Sequence, residues 1–289
     1  MSHFVVGVLI DRLSSDAIER AMAPYQENNM LDCPKEYLEF FDREDEMREE
    51  YETETVTQVK TPEGALVFRH SSDIPREEQE LVEIPFTVKY PTFEEFAKDY
   101  HGHAGPDEET GRYGYWENPH AKWDWYEVGG RWTNMLLVKD TLPDDVWVRG
   151  GHYGQPVDES APEGYMWVDG AKIKDIEFEV MSNLIIERRK ENWGEIKKLL
   201  ADGNTTEAFF KYGVKEGTTR DEYINAPDFT LFAFLNGITG DWYETGRMGW
   251  WGMNSATEEE EENWEKSFRD RFIDHADPEH YLVIVDCHI

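Results

Sequence analysis

Cysteine is nearly missing from this chain. Its two copies, Cys33 and Cys287, are too few for a disulfide framework, and neither sits in a Cys-x-x-Cys pair, so zinc-finger and dithiol chemistry drop out and two free thiols are expected. Long apolar runs are missing as well. No stretch of 18 or more apolar residues occurs, and Met1-Ser2-His3-Phe4-Val5-Val6 lacks the charged flank and apolar core of a signal peptide, so the expected location is the cytoplasm. Positive charge is scarce: 29 Lys and Arg stand against 62 Asp and Glu, a net charge of −33. Such a field repels phosphate backbones and anionic lipid, which argues against direct nucleic-acid binding and against membrane roles, while it attracts basic protein surfaces.

Catalytic signatures are also absent. There is no Gly-x-Ser-x-Gly elbow and no phosphate loop; the Gly150-Gly151-His152-Tyr153-Gly154 segment has the glycine but not the Lys-Ser/Thr ending. His101 and His103 with Asp107 nearby, and Asp286-Cys287-His288, supply metal-ligand types without a complete four-ligand spacing. Alternation along a strand would turn Asp286 and His288 to one face and Cys287 to the other. No metal, cofactor or catalytic residue is assigned on these patterns.

What is present suffices for a sizeable core: 289 residues, 39% hydrophobic and 14% aromatic. Phe4 to Ile10 and Tyr281 to Ile289 read as apolar strands at the two ends, which stay covered only if both enter one sheet. Helices are expected from Ser15-Asp16 to Met22, from Pro34 through Phe41, after Thr92, from Ile176 to Leu200, near Thr205 to Tyr212 and Asp221 to Asn225, and after the Thr257/Glu260 capping box. Thr53 to Val59 and Ala65 to His70 read as a hairpin, and Ile84 to Tyr90, Thr133 to Val138, Val146 to Arg149 and Thr230 to Leu235 as strands. The expected fold is α+β, a mainly antiparallel sheet flanked by helices, in a single domain over 1–289 with an irregular insertion at 101–120.

One motif recurs. Asp124-Trp125-Tyr126-Glu127, followed by Val128-Gly129-Gly130-Arg131-Trp132, returns as Asp241-Trp242-Tyr243-Glu244-Thr245-Gly246-Arg247, with Trp250 closing the second copy. Seven of the eleven tryptophans lie in or beside the two copies. If the copies face each other, Arg131 and Arg247 would offer planar donors to an anion, Trp125, Tyr126, Trp242 and Tyr243 would stack on a ring, and Asp124, Glu127, Asp241 and Glu244 would accept from hydroxyls or amines. That is the composition of a nucleotide-like ligand site. Packing alone explains the aromatics equally well, but does not require the acid and the Arg twice.

The segments His3-Phe4-Val5-Val6, Ala23 to Asn28, Lys122 to Trp132, Gly249 to Met253 and Val285-Asp286-Cys287-His288-Ile289 together resemble a group of uncharacterised acidic proteins encoded by bacteriophages and prophages. The resemblance implies a viral accessory protein acting in the host bacterial cytoplasm, in counter-defence or host takeover. Three functions fit such a chain: sequestration of a nucleotide-derived small molecule, DNA-mimic-like inhibition of a basic surface on a host protein, and nucleotide processing through Asp124 and Glu127, with or without a histidine. An oligomer is compatible with each.

Overall fold

His3–Ile10 and Tyr281–His288 lie side by side in one sheet, antiparallel, with His3 opposite His288 and Ile10 opposite Tyr281. The computed structural model describes residues 2–69, 74–155, 160–249 and 253–289. Contacts group the chain into two compact units, Met1–Cys33 with His120–Ile289, and Pro34–Pro119. In chain order, β1 (His3–Ile10) leads into α1 (Ser15–Met22). The second unit then runs β2 (Glu39–Asp42), α2 (Glu44–Thr53), β3 (Thr55–Lys60), β4 (Leu66–Phe68), β5 (Glu80–Pro85), α3 (Phe86–Lys89), α4 (Phe93–Asp99) and β6 (Gly114–Glu117). The first unit resumes with β7 (Trp125–Val128), β8 (Leu136–Lys139), β9 (Trp147–Val148), β10 (Tyr165–Val168) and β11 (Gly170–Lys172), followed by α5 (Phe178–Ala201), α6 (Thr205–Tyr212) and α7 (Arg220–Ile224). It closes with β12 (Ala233–Asn236), β13 (Asp241–Glu244), α8 (Glu258–Phe272) and β14 (Tyr281–His288).

The fold is α+β, and its main sheet contains both terminal strands. Among the described residues that sheet has seven strands in the order β13-β12-β1-β14-β11-β9, with β7 also paired to β14 beyond the end of β11. Every pairing is antiparallel except β1 with β12. The two central strands are apolar because both faces are covered, which is why they read as continuous runs. Val6, Val8, Val283 and Val285 face α1, whose inward side is Ala17, Ile18, Ala21 and Met22. Leu9, Leu282 and Ile284 face the other way, into a core with Phe234 and the α8 stripe Trp264, Phe268 and Phe272. Each such side chain contributes roughly 1.5–3 kcal/mol on burial.

Local chemistry sets the helix starts. Ser14 accepts from the Ala17 N–H and Thr92 from the Glu95 N–H. Thr257 and Glu260 form a reciprocal capping box, so the acids after Thr257 sit at the positive end of α8. In the second unit, Met47, Phe86, Tyr90, Phe93, Phe96 and Tyr113 make a separate aromatic core between α2, α3 and α4. None of the described helices is long and apolar enough to cross a membrane.

Three expectations change. The helix over Pro34 to Phe41 is a single 3-10 turn, Lys35–Tyr37, followed by β2, because Phe40 and Phe41 pair across to Trp116 and Tyr115 of β6 at ring distances of 5.5 and 5.8 Å. The strand over Ile84 to Tyr90 stops at Pro85, which precedes α3 and turns Phe86 and Tyr90 into the aromatic core. The irregular segment near 101–120 contains β6, and most of it belongs to the Pro34–Pro119 unit. His70, at the end of the expected hairpin, lies outside the described residues.

Both thiols are buried and neither is in a disulfide, and burial pushes that of Cys287 well above its usual range. A chromogenic disulfide reagent should therefore label neither cysteine in the native protein and both after denaturation. Rapid native labelling of Cys287 would contradict this packing.

Candidate functional site

The two motif copies occupy strands on opposite sides of the sheet. Copy one is β7, paired to β14 with Trp125 opposite His288; copy two is β13, paired to β12 with Trp242 opposite Leu235. Three strands, β12, β1 and β14, stand between them, a span of roughly 19 Å at the usual strand spacing. Their tryptophans also face opposite ways. Trp125 is in the cross-strand row of His288 and His3, Trp242 in that of Leu235 and Val8, and an odd and an even position of β1 point to opposite faces. The two rings are therefore not walls of one pocket.

Most of the motif aromatics are packing residues. Trp242 lies against Tyr25 at 4.9 Å and donates its Nε1–H to Glu244. Tyr243 packs on Phe272, and Tyr126 sits edge-on to buried Trp123, where burial raises its hydroxyl pKa to about 12. Asp241 accepts a hydrogen bond from the neighbouring Thr239 hydroxyl. The closing Trp250, with Trp251, lies outside the described residues.

The Gly129-Gly130 pair wraps two buried carboxylates. Both glycines have positive φ, +79° and +57°, and a Cβ on Gly129 would stand 2.6 Å from the Asp169 carboxylate, one on Gly130 2.4 Å from Asp286. Asp169 is fully buried and accepts from the Thr133 hydroxyl and from the backbone N–H groups of Asn134, Gly150 and Gly151. Asp286, also fully buried, accepts from the Arg131 N–H and pairs with His3 Nδ1 at 2.8 Å. Arg131 thus enters through its backbone, while the residue as a whole is exposed. Glu127 lies opposite Asp286 in the β7–β14 ladder, with His152 Nδ1 3.6 Å from its carboxylate.

Where the copies do approach each other, charged groups make the link. Lys122 Nζ is 2.7 Å from Glu244. Asp124 and Arg247 line one cavity of about 660 Å³, together with His288, Asn29, Asn254 and Ser255. Arg247 is set there by a short antiparallel turn: its N–H donates to Ser255 Oγ, the Ser255 N–H returns to the Arg247 carbonyl, and Gly249 donates to Met253. Among the described residues its guanidinium has no side-chain partner, which leaves it available to an anion.

Two residues that composition did not single out as site members complete the arrangement. His288 Nδ1 is 2.6 Å from Asp124 Oδ1, and Trp125 stacks on the His288 ring at 5.1 Å. His3 lies edge-on to the same ring, centroids 4.9 Å apart. The sequence carried a partial signal for this: alternation in β14 puts Asp286 and His288 on one face and Cys287 on the other, and the structure has Cys287 in the core on the opposite side. The partners His3 and Asp124 came only with the strand register.

No family model, curated protein or solved structure matches the chain. Among the described residues, no group of three or more His, Cys, Asp or Glu is arranged to hold a metal ion. The arrangement can offer one guanidinium for an anion, carboxylates and amides for hydroxyl or amino groups, and imidazoles fixed by carboxylates.

Proposed function

We propose that this chain is a bacteriophage-encoded accessory protein of the host bacterial cytoplasm that acts by binding, sequestering a small nucleotide-type molecule that would otherwise serve a host defence. The observation that carries the reading is the cavity in which Asp124 of one motif copy and Arg247 of the other stand on the same walls. A single guanidinium without a side-chain partner among the described residues suits one phosphate, and Asp124, Glu27, Asn29 and Asn254 suit the hydroxyl and amino groups of a nucleoside. The net charge of −33 acts against polyphosphates and polynucleotides, so the ligand class is small and singly charged.

Titration calorimetry with 3′,5′-cyclic nucleotides and dinucleoside monophosphates, whose phosphodiesters carry a single charge, tests this. The Arg247→Ala variant should bind at least about tenfold more weakly, since a charge-assisted hydrogen bond is worth roughly 1.5–3 kcal/mol. The Arg131→Ala variant should bind as the parent does, because Arg131 is not on the cavity wall. Equal affinity of the Arg247 variant and the parent would remove the reading. The acidic-inhibitor alternative rests on the charge alone; it calls for a basic protein partner whose binding falls steeply with salt.

A further inference from the structure

We infer that His288 is the second phosphate contact of this cavity: held through Nδ1 by Asp124, it presents Nε2 to the ligand and takes up a proton as the anion enters beside Arg247. The inference rests on the binding reading above and adds to it a specificity-determining residue that answers to pH. The His288 side chain is more than nine-tenths buried, and the residue lines the cavity with Asp124 and Arg247. Its Nδ1 is 2.6 Å from Asp124 Oδ1, and a carboxylate oxygen accepts, so Nδ1 carries the donated proton and Nε2 points the other way. Nε2 has no partner among the described residues and is not one of their sealed, unpartnered polar atoms, so it opens on space that a ligand can enter.

Satisfying Asp124 does not by itself call for this ring. The same Oδ1 already accepts from the Trp125 N–H at 2.7 Å, and the Asn29 amide stands 3.5 Å from Oδ2. The surroundings favour a ring that can carry charge. Trp125 lies face to face with it, centroids 5.1 Å apart and planes 18° from parallel, and an indole face attracts a cation. The titratable and charged groups around His288 are Asp124 at Nδ1, Glu27 and Arg247 on the cavity wall, and His3, edge-on at 4.9 Å with its own Nδ1 on Asp286. The Ile289 main-chain oxygen beside it accepts from the Ser2 N–H. The carboxylates favour a positive charge on His288, and Arg247 opposes it. An anion against Arg247 offsets that opposition and brings a negative charge of its own, so the protonated ring is favoured more in the complex than in the free protein. The imidazolium then donates from Nε2 to one non-bridging oxygen while the guanidinium holds the other. Because the complex holds more protons than the free protein, Kd falls as pH falls through the range in which an imidazole exchanges its proton.

The full chain is titrated calorimetrically with 3′,5′-cyclic AMP and adenylyl-adenosine, whose phosphodiesters keep one charge throughout, from about pH 5.5 to about pH 8.5 in two buffers of unlike ionisation enthalpy. Expected are a Kd at least about tenfold lower at the acid end and net proton uptake on binding between the two ends, read from the buffer dependence of the heat. His288→Asn keeps an N–H where Nδ1 stood, so the bond to Asp124 survives while Nε2 is lost. It should bind no more tightly in acid than in alkali and take up no proton. His3→Asn, which keeps a donor to Asp286, should retain both the slope and the uptake. Circular dichroism and Tm confirm the fold of each variant. Should His288→Asn fail to fold, the His288 ring resonance of the parent gives the same readout, since it should move to its charged position when the probe binds. Binding with a flat pH profile and no proton uptake overturns this inference and leaves sequestration standing, as does uptake that persists in His288→Asn. Binding of neither probe at any pH removes both.

Discussion

Gly130→Ala and Gly150→Ala should each cost about 3 kcal/mol or more, lowering Tm by roughly 6–12 °C in a chain of this size. The expectation comes from what an added Cβ would meet. On Gly130 it would lie 2.4 Å from Asp286 Cβ and 2.5 Å from its carboxylate, in a residue with φ of +57°; on Gly150 it would lie 1.9 Å from the Val128 carbonyl oxygen. Neither neighbour can retreat, because Asp286 is in the central strand β14 and Val128 is in β7, paired to it opposite Val285. Gly240 provides the control. It has φ of +83°, and an added Cβ there would meet nothing within 4 Å, so Gly240→Ala costs only the strain of a side chain in the left-handed region, roughly 1–2 kcal/mol. Denaturant titration separates the two classes. If Gly130→Ala melts with Gly240→Ala, the close wrapping of Asp286 is not what the motif glycines are for.

This gives the recurrent motif a different meaning from the one its composition suggests. The Asp-Trp-Tyr-Glu letters repeat and an Arg follows each copy, one residue sooner in the second, yet Trp125 and Trp242 face opposite sides of the sheet and Tyr126 and Tyr243 are packed. A strand has a period of two, so which face a motif presents depends on how it registers with its neighbour, and pairing partners a hundred residues away are not written locally. What could be read was set by local chemistry or by burial on both sides: the terminal strands as apolar runs, α5 and α8 by their periodicity, the capping box at Thr257. Pro34 to Phe41 failed for the complementary reason, since Phe40 and Phe41 answer to Trp116 and Tyr115 rather than to their own neighbours. The site was legible only in halves. Asp124 and Arg247 were named from the motif and do share a cavity, whereas His3 and His288, at opposite ends of the sequence, meet only through the β1–β14 register.

Asp169→Asn should be nearly as damaging as Asp169→Ala, although it preserves the shape of the side chain. In the native protein one carboxylate oxygen accepts from the Asn134 N–H at 2.6 Å, the other from the Gly150 and Gly151 N–H groups at 2.8 and 3.1 Å, and Thr133 Oγ is 3.0 Å from both. An amide has a single oxygen, so whichever way it turns its NH2 group must face backbone donors at one end. Those donors are out of water, and leaving one or two of them without an acceptor costs about 1–3 kcal/mol each, which puts the Asn variant near 3 kcal/mol and the Ala variant at or above it. The damage should be local before it is global: hydrogen exchange at Asn134, Gly150 and Gly151 should quicken first, because these amides lose their acceptor directly. It should then reach Arg131, since the Gly130 N–H is held by the Gly151 carbonyl and the next N–H, that of Arg131, is a donor to Asp286. Asp286 in turn anchors His3, so the turn that grips Asp169 supports the histidine pair from behind without touching the cavity. An Asn variant within about 0.5 kcal/mol of the parent, with unchanged exchange at the three amides, would mean that size alone fills this site and that the charge of Asp169 plays no part in holding β7 in place.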